Sequence, residues 1–114
     1  MSTCVEVAEQ FGTLIAKTDY TSAHKLLTKK EQVTYSPNDF KKAVEEMTAY
    51  APGPIEEVVV MKDHILDDWP DKEASDVASM YVSLSGDGFC EAVSIILANE
   101  CDDIRIRELE WGRP

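Results

Sequence analysis

The sequence predicts a single α+β domain over residues 1–114, with helices first and an antiparallel sheet after them. Up to about residue 52, apolar residues recur at the spacing of helix faces. From residue 55 onward they follow the spacing and composition of strands. Helices followed by a run of strands are typical of α+β folds rather than of parallel βαβ sheets. We therefore expect three N-terminal helices packed on an antiparallel sheet of about four strands.

The first helix is predicted to run from a capping box at Thr3 and Glu6 to about Lys17. In such a box the threonine hydroxyl caps a free backbone N–H, and the glutamate reaches back to the cap residue. The apolar residues of this helix fall on one face, which is the side expected to pack on the sheet. They are Val7, Ala8, Phe11, Leu14 and Ile15.

Two further helices are predicted before residue 55. Thr18-Asp19 is the next cap signal and predicts a short second helix, after which the polar stretch Lys29–Gln32 is predicted to be a turn or a fraying helix end. Ser36 and Pro37 predict the start of a third helix, because serine caps helices and proline suits the first helical position. Pro52 marks its end, since proline cannot continue a helix.

Strands are predicted throughout the C-terminal half. The valine-rich stretch Ile55–Met61 is the first strand, and polar Asp67–Glu73 is a loop. Asp76–Leu84 and Phe89–Leu97 are two further strands, separated by the tight-turn signal Ser85–Gly88. We expect these two strands to pair as a long hairpin.

The last strand is predicted over Ile104–Trp111, after an acidic turn at Asn99–Asp103. Neighbouring residues on a strand point to opposite faces, so the pattern predicts two sides for this strand. One side carries Arg105, Arg107, Leu109 and Trp111, and the other carries Ile104, Ile106, Glu108 and Glu110.

Negative charge is concentrated in the C-terminal half. The chain has 11 basic and 22 acidic residues, for a net charge of −11. Residues 1–53 contain 7 acidic and 6 basic residues, whereas residues 54–114 contain 15 acidic and 5 basic residues. Such a surface repels nucleic-acid phosphates and anionic lipids, so we expect no nucleic-acid and no membrane partner. A basic protein partner fits this charge, and so does a purely solubilising role.

The expected location is cytoplasmic, because no segment has the pattern of a signal peptide or of a membrane span. The cysteines Cys4, Cys90 and Cys101 fit reduced thiols in that compartment, since their number is odd and no CxxC pair occurs.

No residue pattern predicts a catalytic site. His24 and His64 are the only histidines, and His24 is expected to be exposed on the short second helix. Asp63 and His64 are adjacent, and neighbours on a strand cannot form a dyad. The acidic loops lack the alternating aspartates of a calcium-binding loop. We therefore expect no catalytic residue, no metal and no cofactor.

The helical half carries the pattern Phe11-x-x-x-Ile15-x-x-x-Asp19-Tyr20-x-x-Ala23-x-x-Leu26-Leu27, then Tyr35-Ser36-Pro37 and the strands. This order resembles the nuclear transport factor two-like superfamily of cystatin-like α+β folds. The resemblance implies a cone in which a curved sheet wraps the first helix, with a pocket at the open end and often a homodimer through the exposed sheet. Members usually carry extra early strands that Ile55–Asp76 would have to supply here, so a deep pocket has less room.

Two groups of residues are candidates for function. One group is aromatic or aliphatic and could line a pocket between the first helix and the sheet, although the same residues fit a packed core. It consists of Phe11, Ile15, Tyr20, Tyr35, Tyr50 and Tyr81. The other group could anchor a protein partner, a role that tryptophan and arginine often have. It consists of Trp69, Trp111, Arg105 and Arg107.

Three functions are compatible with these patterns. The leading hypothesis is a non-catalytic protein-interaction or dimerisation module, expected to be a homodimer and suited to a basic protein partner. The alternative is a small-molecule-binding protein or an isomerase- or dehydratase-like enzyme that uses a pocket between the first helix and the sheet. The third is a scaffold domain without a ligand of its own.

Overall fold

The chain folds into helices followed by one antiparallel sheet, which confirms the predicted α+β class. The computed structural model describes residues 3–112, apart from the side chain of His64. Within these residues the helices are α1 (Cys4–Ala16), α2 (Tyr20–His24), α3 (Lys29–Thr34) and α4 (Pro37–Met47). The strands are β1 (Glu57–Val60), β2 (Asp76–Gly86), β3 (Phe89–Glu100) and β4 (Asp103–Trp111), with a 3-10 turn at Lys62–His64.

The helices begin at the caps that the sequence supplies. The capping box of Thr3 and Glu6 starts α1, and a second box of Ser36 and Asp39 starts α4. The prediction of a turn or a fraying helix end at Lys29–Gln32 was wrong, because this stretch begins a separate helix, α3. Thr28 caps α3 with its hydroxyl, and its backbone N–H donates to Ile106 of β4, so a contact distant in sequence fixes this helix start.

The strands lie in the order β1-β2-β3-β4, and each pairs antiparallel with the next. The pairing of β2 with β3 confirms the long hairpin, which turns at Asp87 and Gly88. Gly88 has φ +78°, a conformation that glycine adopts without the penalty of a side chain. Strand β1 is shorter than the predicted Ile55–Met61, and Asp63 and His64 lie in the 3-10 turn rather than on a strand.

The core lies between α1 and one face of the sheet. Phe11 and Ile15 of α1 and Met80, Val82 and Leu84 of β2 are each at most 1% exposed. Gly12 sets the distance between the layers: a Cβ atom there would lie 2.9 Å from Val82 Cγ1 and in closer conflict with Val58. The predicted contact between the first helix and β2 is therefore confirmed.

One extra residue in β4 reverses the side-chain pattern predicted for this strand. Leu97 pairs with Ile106 but Ile96 pairs with Glu108, so Arg107 has no partner of its own and forms a bulge. Beyond the bulge, Leu109 returns to the core side with Ile104 and Ile106, and Trp111 contacts Phe11 and Phe40. The prediction that Leu109 and Trp111 share a side with Arg105 was wrong for this reason.

Within residues 3–112, no helix is long and apolar enough to cross a membrane.

Candidate protein-interaction surface

The two faces of the sheet differ in exposure and in residue type. The face toward the helices, here called the inner face, carries Met80, Val82, Leu84, Val93 and Ile95, each at most 1% exposed. The opposite face is mostly half-buried or exposed. We call it the outer face and define it by Val59, Leu66, Ser79, Tyr81, Ser83, Cys90, Ala92, Ser94 and Ile96.

Strand register arranges the outer face in rows across the sheet. One row contains Leu66, Ser79, Ile96 and Glu108. The next row contains Tyr81, Ser94 and Glu110. Between these rows lies a shallow groove of about 180 Å³, lined by Ser79, Tyr81, Ser94, Ile96 and the two glutamates, together with Ile95 and Leu109 of the same strands. The groove places small polar groups, one aromatic ring and one aliphatic side chain beside two carboxylates.

The nine residues that define the outer face are uncharged, and the carboxylates on the same side of the sheet, Glu57, Glu108 and Glu110, lie on the edge strands β1 and β4. Its aliphatic members stand out in water, since Val59 is 45% exposed and Leu66 is 47% exposed. A sheet face in contact with water is ordinarily polar. Depletion of charge around aromatic and aliphatic groups is instead typical of the centre of a protein interface.

Carboxylates border the outer face. Glu108 and Glu110 lie along β4, and Glu57 lies at the β1 edge beside Ser85. Among residues 3–112, no salt bridge involves any of these three glutamates. Burial raises the pKa of the Glu31 carboxyl, and the charge of Glu108 adds to that rise. Glu108 and Glu110 therefore place two carboxylates along the β4 edge of the outer face.

The described cations at one end of the outer face are already paired. Arg107, at the bulge, donates from Nε to Asp76 Oδ1 at 2.5 Å and from Nη2 to Asp76 Oδ2 at 2.7 Å. Its Nη1 lies 3.2 Å from Glu73 Oε2. Arg105 donates to the carbonyl of Lys25 and lies 3.4 Å from Asp103 Oδ2. Neither guanidinium is free to neutralise Glu108 or Glu110 fully.

The Asp76–Arg107 pair is also a structural clamp. The Asp76 side chain is fully buried, and its Oδ2 accepts the Glu73 backbone N–H at 2.8 Å. Burial by itself raises the pKa of this carboxyl, but the hydrogen bonds from Arg107 and Glu73 outweigh burial and hold the pKa below its ordinary value. The hydrogen bond to Asp76 likewise raises the pKa of Arg107. The pair fixes the loop before β2 against β4.

The structure does not gather the six predicted pocket residues around one cavity. Phe11 and Ile15 are buried core residues. Tyr35 stacks on Phe40 with ring centroids 6.1 Å apart. Tyr81 lies on the outer face, on the side of the sheet opposite α1. Tyr20 is half-buried against the core, where burial and the charge of Glu45 raise its pKa. Tyr50 is 61% exposed and donates to Glu91 at 2.5 Å.

The predicted anchor residues lie in three different places. Trp69 is in the loop before β2, where Lys72 Nζ is 5.7 Å from the centroid of its ring. Trp111 faces the core, where its ring centroid is 6.1 Å from Phe11 and 5.9 Å from Phe40. Both indole Nε1 atoms are buried without a hydrogen-bond partner in the described chain. Arg105 and Arg107 alone border the outer face.

The described residues form no cluster of three potential metal ligands of the His, Cys, Asp or Glu type. His24 is half-buried rather than exposed, because its Nε2 lies 2.9 Å from the Gln32 carbonyl oxygen and its ring contacts Phe40. It therefore has a structural partner.

Sequence reasoning missed Ser94, Ile96, Glu108 and Glu110 as a group. The run from Cys90 to Ala98 was a usable signal: its alternate members Cys90, Ala92, Ser94, Ile96 and Ala98 are all uncharged. A strand with one solvated face ordinarily places charged or polar residues at such positions.

Comparison of the chain with protein-family models, curated proteins and solved structures found no match. The resemblance to the nuclear transport factor two-like superfamily, the homodimer and the cytoplasmic location therefore stay predictions.

Proposed function

We propose that this protein is a non-catalytic interaction module whose outer sheet face binds a basic protein partner. The observation that carries the proposal is the uncharged outer face with its exposed Val59 and Leu66, bordered by Glu57, Glu108 and Glu110. An apolar and small-residue centre suits close packing, and the carboxylates at the edge favour lysine or arginine on the partner.

A second copy of the chain is a poorer occupant of this face. The cations at its border, Arg105 and Arg107, are held by Asp103, Asp76 and Glu73. In a homodimer through the outer face, these arginines would have to leave their present partners to pair with Glu108 and Glu110 of the second copy. Two like charges about 4 Å apart repel by about 1 kcal/mol in water and about 4 kcal/mol near a protein surface. With a basic partner, the Coulomb energy at the same carboxylates is attractive.

The packing of α1 counts against the alternative of a ligand pocket beneath that helix. Phe11 and Ile15 fill the space above β2, and Gly12 approaches the sheet too closely for even a methyl group. A drug-sized ligand needs about 300 Å³ or more of concave space. The close contact at Gly12 leaves no room for a ligand of that size between α1 and the sheet.

Selection from a phage-displayed library of random dodecapeptides tests the proposal. We expect the enriched peptides to combine aliphatic or aromatic residues with at least two lysines or arginines. Ile96→Asp should weaken their binding at least about tenfold, because it places a charge at the centre of the face. The matched control is Val33→Asp, which adds the same charge at a residue of α3 that is 89% exposed. Enriched peptides that bind both variants equally would contradict the proposal.

Sedimentation equilibrium tests whether a second copy of the chain occupies the outer face instead. We expect a monomer at the concentrations used for peptide binding. A dimer that Ile96→Asp dissociates and Val33→Asp leaves intact would assign the outer face to a second copy, and the basic-partner proposal would then be wrong.

A further inference from the structure

A second concave site lies on the helix side of the sheet, between the end of α4, the start of β3 and the end of β4. Its volume is about 460 Å³, and it is lined by Ala43, Glu46, Met47, Glu91 and Trp111. It shares no residue with the outer face. Two carboxylates and one indole ring are the chemically distinctive groups in its lining.

Glu91 is unusual because it sits on the inner face of the central hairpin. It pairs with Leu84, which is fully buried, and the next inner-face residues along β3 are the buried Val93 and Ile95. Its Oε2 accepts a hydrogen bond from the Tyr50 hydroxyl at 2.5 Å. In the described chain, no salt bridge supplies Glu91 with a cation. A carboxylate is thus held in place on an otherwise apolar face.

The end of α4 makes the same region more negative. The last turn of this helix contains Glu45 and Glu46 and no basic residue. Free carbonyl groups give a helix C-terminus a partial negative charge, which favours lysine or arginine and disfavours glutamate there. Glu46 is nevertheless placed in the lining of the site. A cation bound there would neutralise both the carboxylate of Glu91 and the negative charge at the end of α4.

Trp111 provides a rigid aromatic wall. Its ring is fixed by packing against Phe11 and Phe40, with centroid distances of 6.1 Å and 5.9 Å. Organic cations bind over tryptophan faces through the ring quadrupole, more strongly than over tyrosine or phenylalanine. Two carboxylates and an indole ring in one lining suit a guanidinium or ammonium group better than a bare metal ion.

We propose that the site between α4 and Trp111 binds an organic cation, the guanidinium or ammonium group of an arginine or lysine side chain. Glu46 and Glu91 accept its hydrogen bonds, Tyr50 holds Glu91, and Trp111 stacks on its apolar stem. This site lies on the side of the sheet opposite the outer face, so the proposal goes beyond the proposed function and does not depend on it.

Nuclear magnetic resonance of the whole chain tests the site with N-acetyl-arginine amide as the probe. The protein has two indole N–H signals, and Trp69 serves as the internal control for Trp111. We expect the Trp111 signal to move and saturate while the Trp69 signal stays, and the same titration with magnesium chloride to leave both in place. A Trp111 signal that does not move, or that follows magnesium equally, would overturn the proposal.

Matched variants separate this site from general negative charge. Glu91→Gln removes the charge while retaining an acceptor for Tyr50, and we expect it to raise the dissociation constant at least about fivefold. Glu110→Gln removes one charge from the other side of the sheet and should have no such effect. Equal losses would mean that only net charge matters, and the proposal would be wrong.

Arg113 follows Gly112, which also lines the site, in the sequence. A titration of Arg113→Ala therefore tests whether a cation of the chain itself competes with the probe. Equal or tighter binding is expected, and lost binding contradicts the proposal. Ile96→Asp should leave this titration unchanged, so failure here and failure of the outer-face proposal are distinguishable.

Discussion

The inner and outer faces of this sheet are built from alternate residues of the same strands, yet they differ in their energetic roles. Ile95 is 1% exposed against the helices, whereas its neighbour Ile96 lies half-buried in the outer groove. Removal of apolar area from water stabilises the fold only where folding itself removes that area. The inner face therefore carries stability, and the outer face retains apolar area that a partner can still bury.

The adjacent isoleucines provide the strongest test of this comparison. Ile95→Ala should lower the free energy of unfolding by about 4 kcal/mol, within the range of about 2–5 kcal/mol for buried isoleucine, because it leaves a cavity. Ile96→Ala should lower it by about 1 kcal/mol or less, since the side chain is already partly solvated. Urea denaturation of the two variants measures both. Equal losses would mean that the faces do not differ as described.

The next largest effect concerns Asp76, a fully buried carboxylate that joins β2 to β4. Asp76→Asn should cost about 3 kcal/mol at neutral pH, because removal of one partner of a buried ion pair leaves the other uncompensated. Glu73→Gln should cost less than about 1 kcal/mol, since the Glu73 side chain is 61% exposed. Thermal or urea unfolding of both variants provides the comparison.

The pH dependence of that loss follows from the pKa of Asp76, which is lower in the folded protein than its ordinary value of 3.8. The stabilisation is present above the pKa of the unfolded chain and is lost as the pH falls through the lower folded pKa. The difference between wild type and Asp76→Asn should therefore be constant near pH 7 and shrink below about pH 4. A difference that grows on acidification would contradict the assigned hydrogen bonds.

A smaller effect tests how closely α1 approaches the inner face. Gly12→Ala should destabilise the protein by about 1–2 kcal/mol: overpacking costs about 1–3 kcal/mol, and the better helix propensity of alanine offsets part of it. Gly53→Ala is the control, because a Cβ atom there would meet nothing within 4 Å. Chemical denaturation distinguishes them. A stabilised Gly12→Ala would mean that a gap separates helix and sheet.

The smallest expected change in stability belongs to the border of the outer face. Glu110→Gln should alter the free energy of unfolding by no more than about 0.5 kcal/mol, as surface substitutions usually do. It should nevertheless weaken the binding of the selected basic peptides more at low salt than at high salt, because salt screens exposed charges. Unfolding and binding assays on one preparation test both statements. A salt-independent loss would point to direct packing instead of charge.

Local signals were sufficient to predict most of the fold, and long-range contacts account for the errors. Side chains within three residues of each other form the caps at Thr3 and Ser36, and these starts were predictable. The start of α3 depends also on a hydrogen bond from Thr28 to Ile106, which no local pattern reveals. The bulge at Arg107 changes the phase of β4, and alternation along the sequence does not predict a bulge.

The candidate surface was less predictable than the fold. Aromatic residues drew attention to a pocket, but Tyr81 lies on the opposite side of the sheet from Phe11, as its alternation with the buried Met80 and Val82 already indicates. Ile96 beside Glu108 and Ser94 beside Glu110 are cross-strand neighbours. A sequence shows which residues alternate, whereas the rows that they form across strands require the register.

Isoleucine-methyl resonances offer the most direct test of the claim that one face is core and the other binds. The protein is labelled at its isoleucine δ1 methyl groups and titrated with a peptide enriched in the selection. The account predicts that the Ile96 methyl signal moves and saturates while the Ile95 signal, on the other face of the same strand, stays in place. A stationary Ile96 signal, or an Ile95 signal that moves as far, would contradict it.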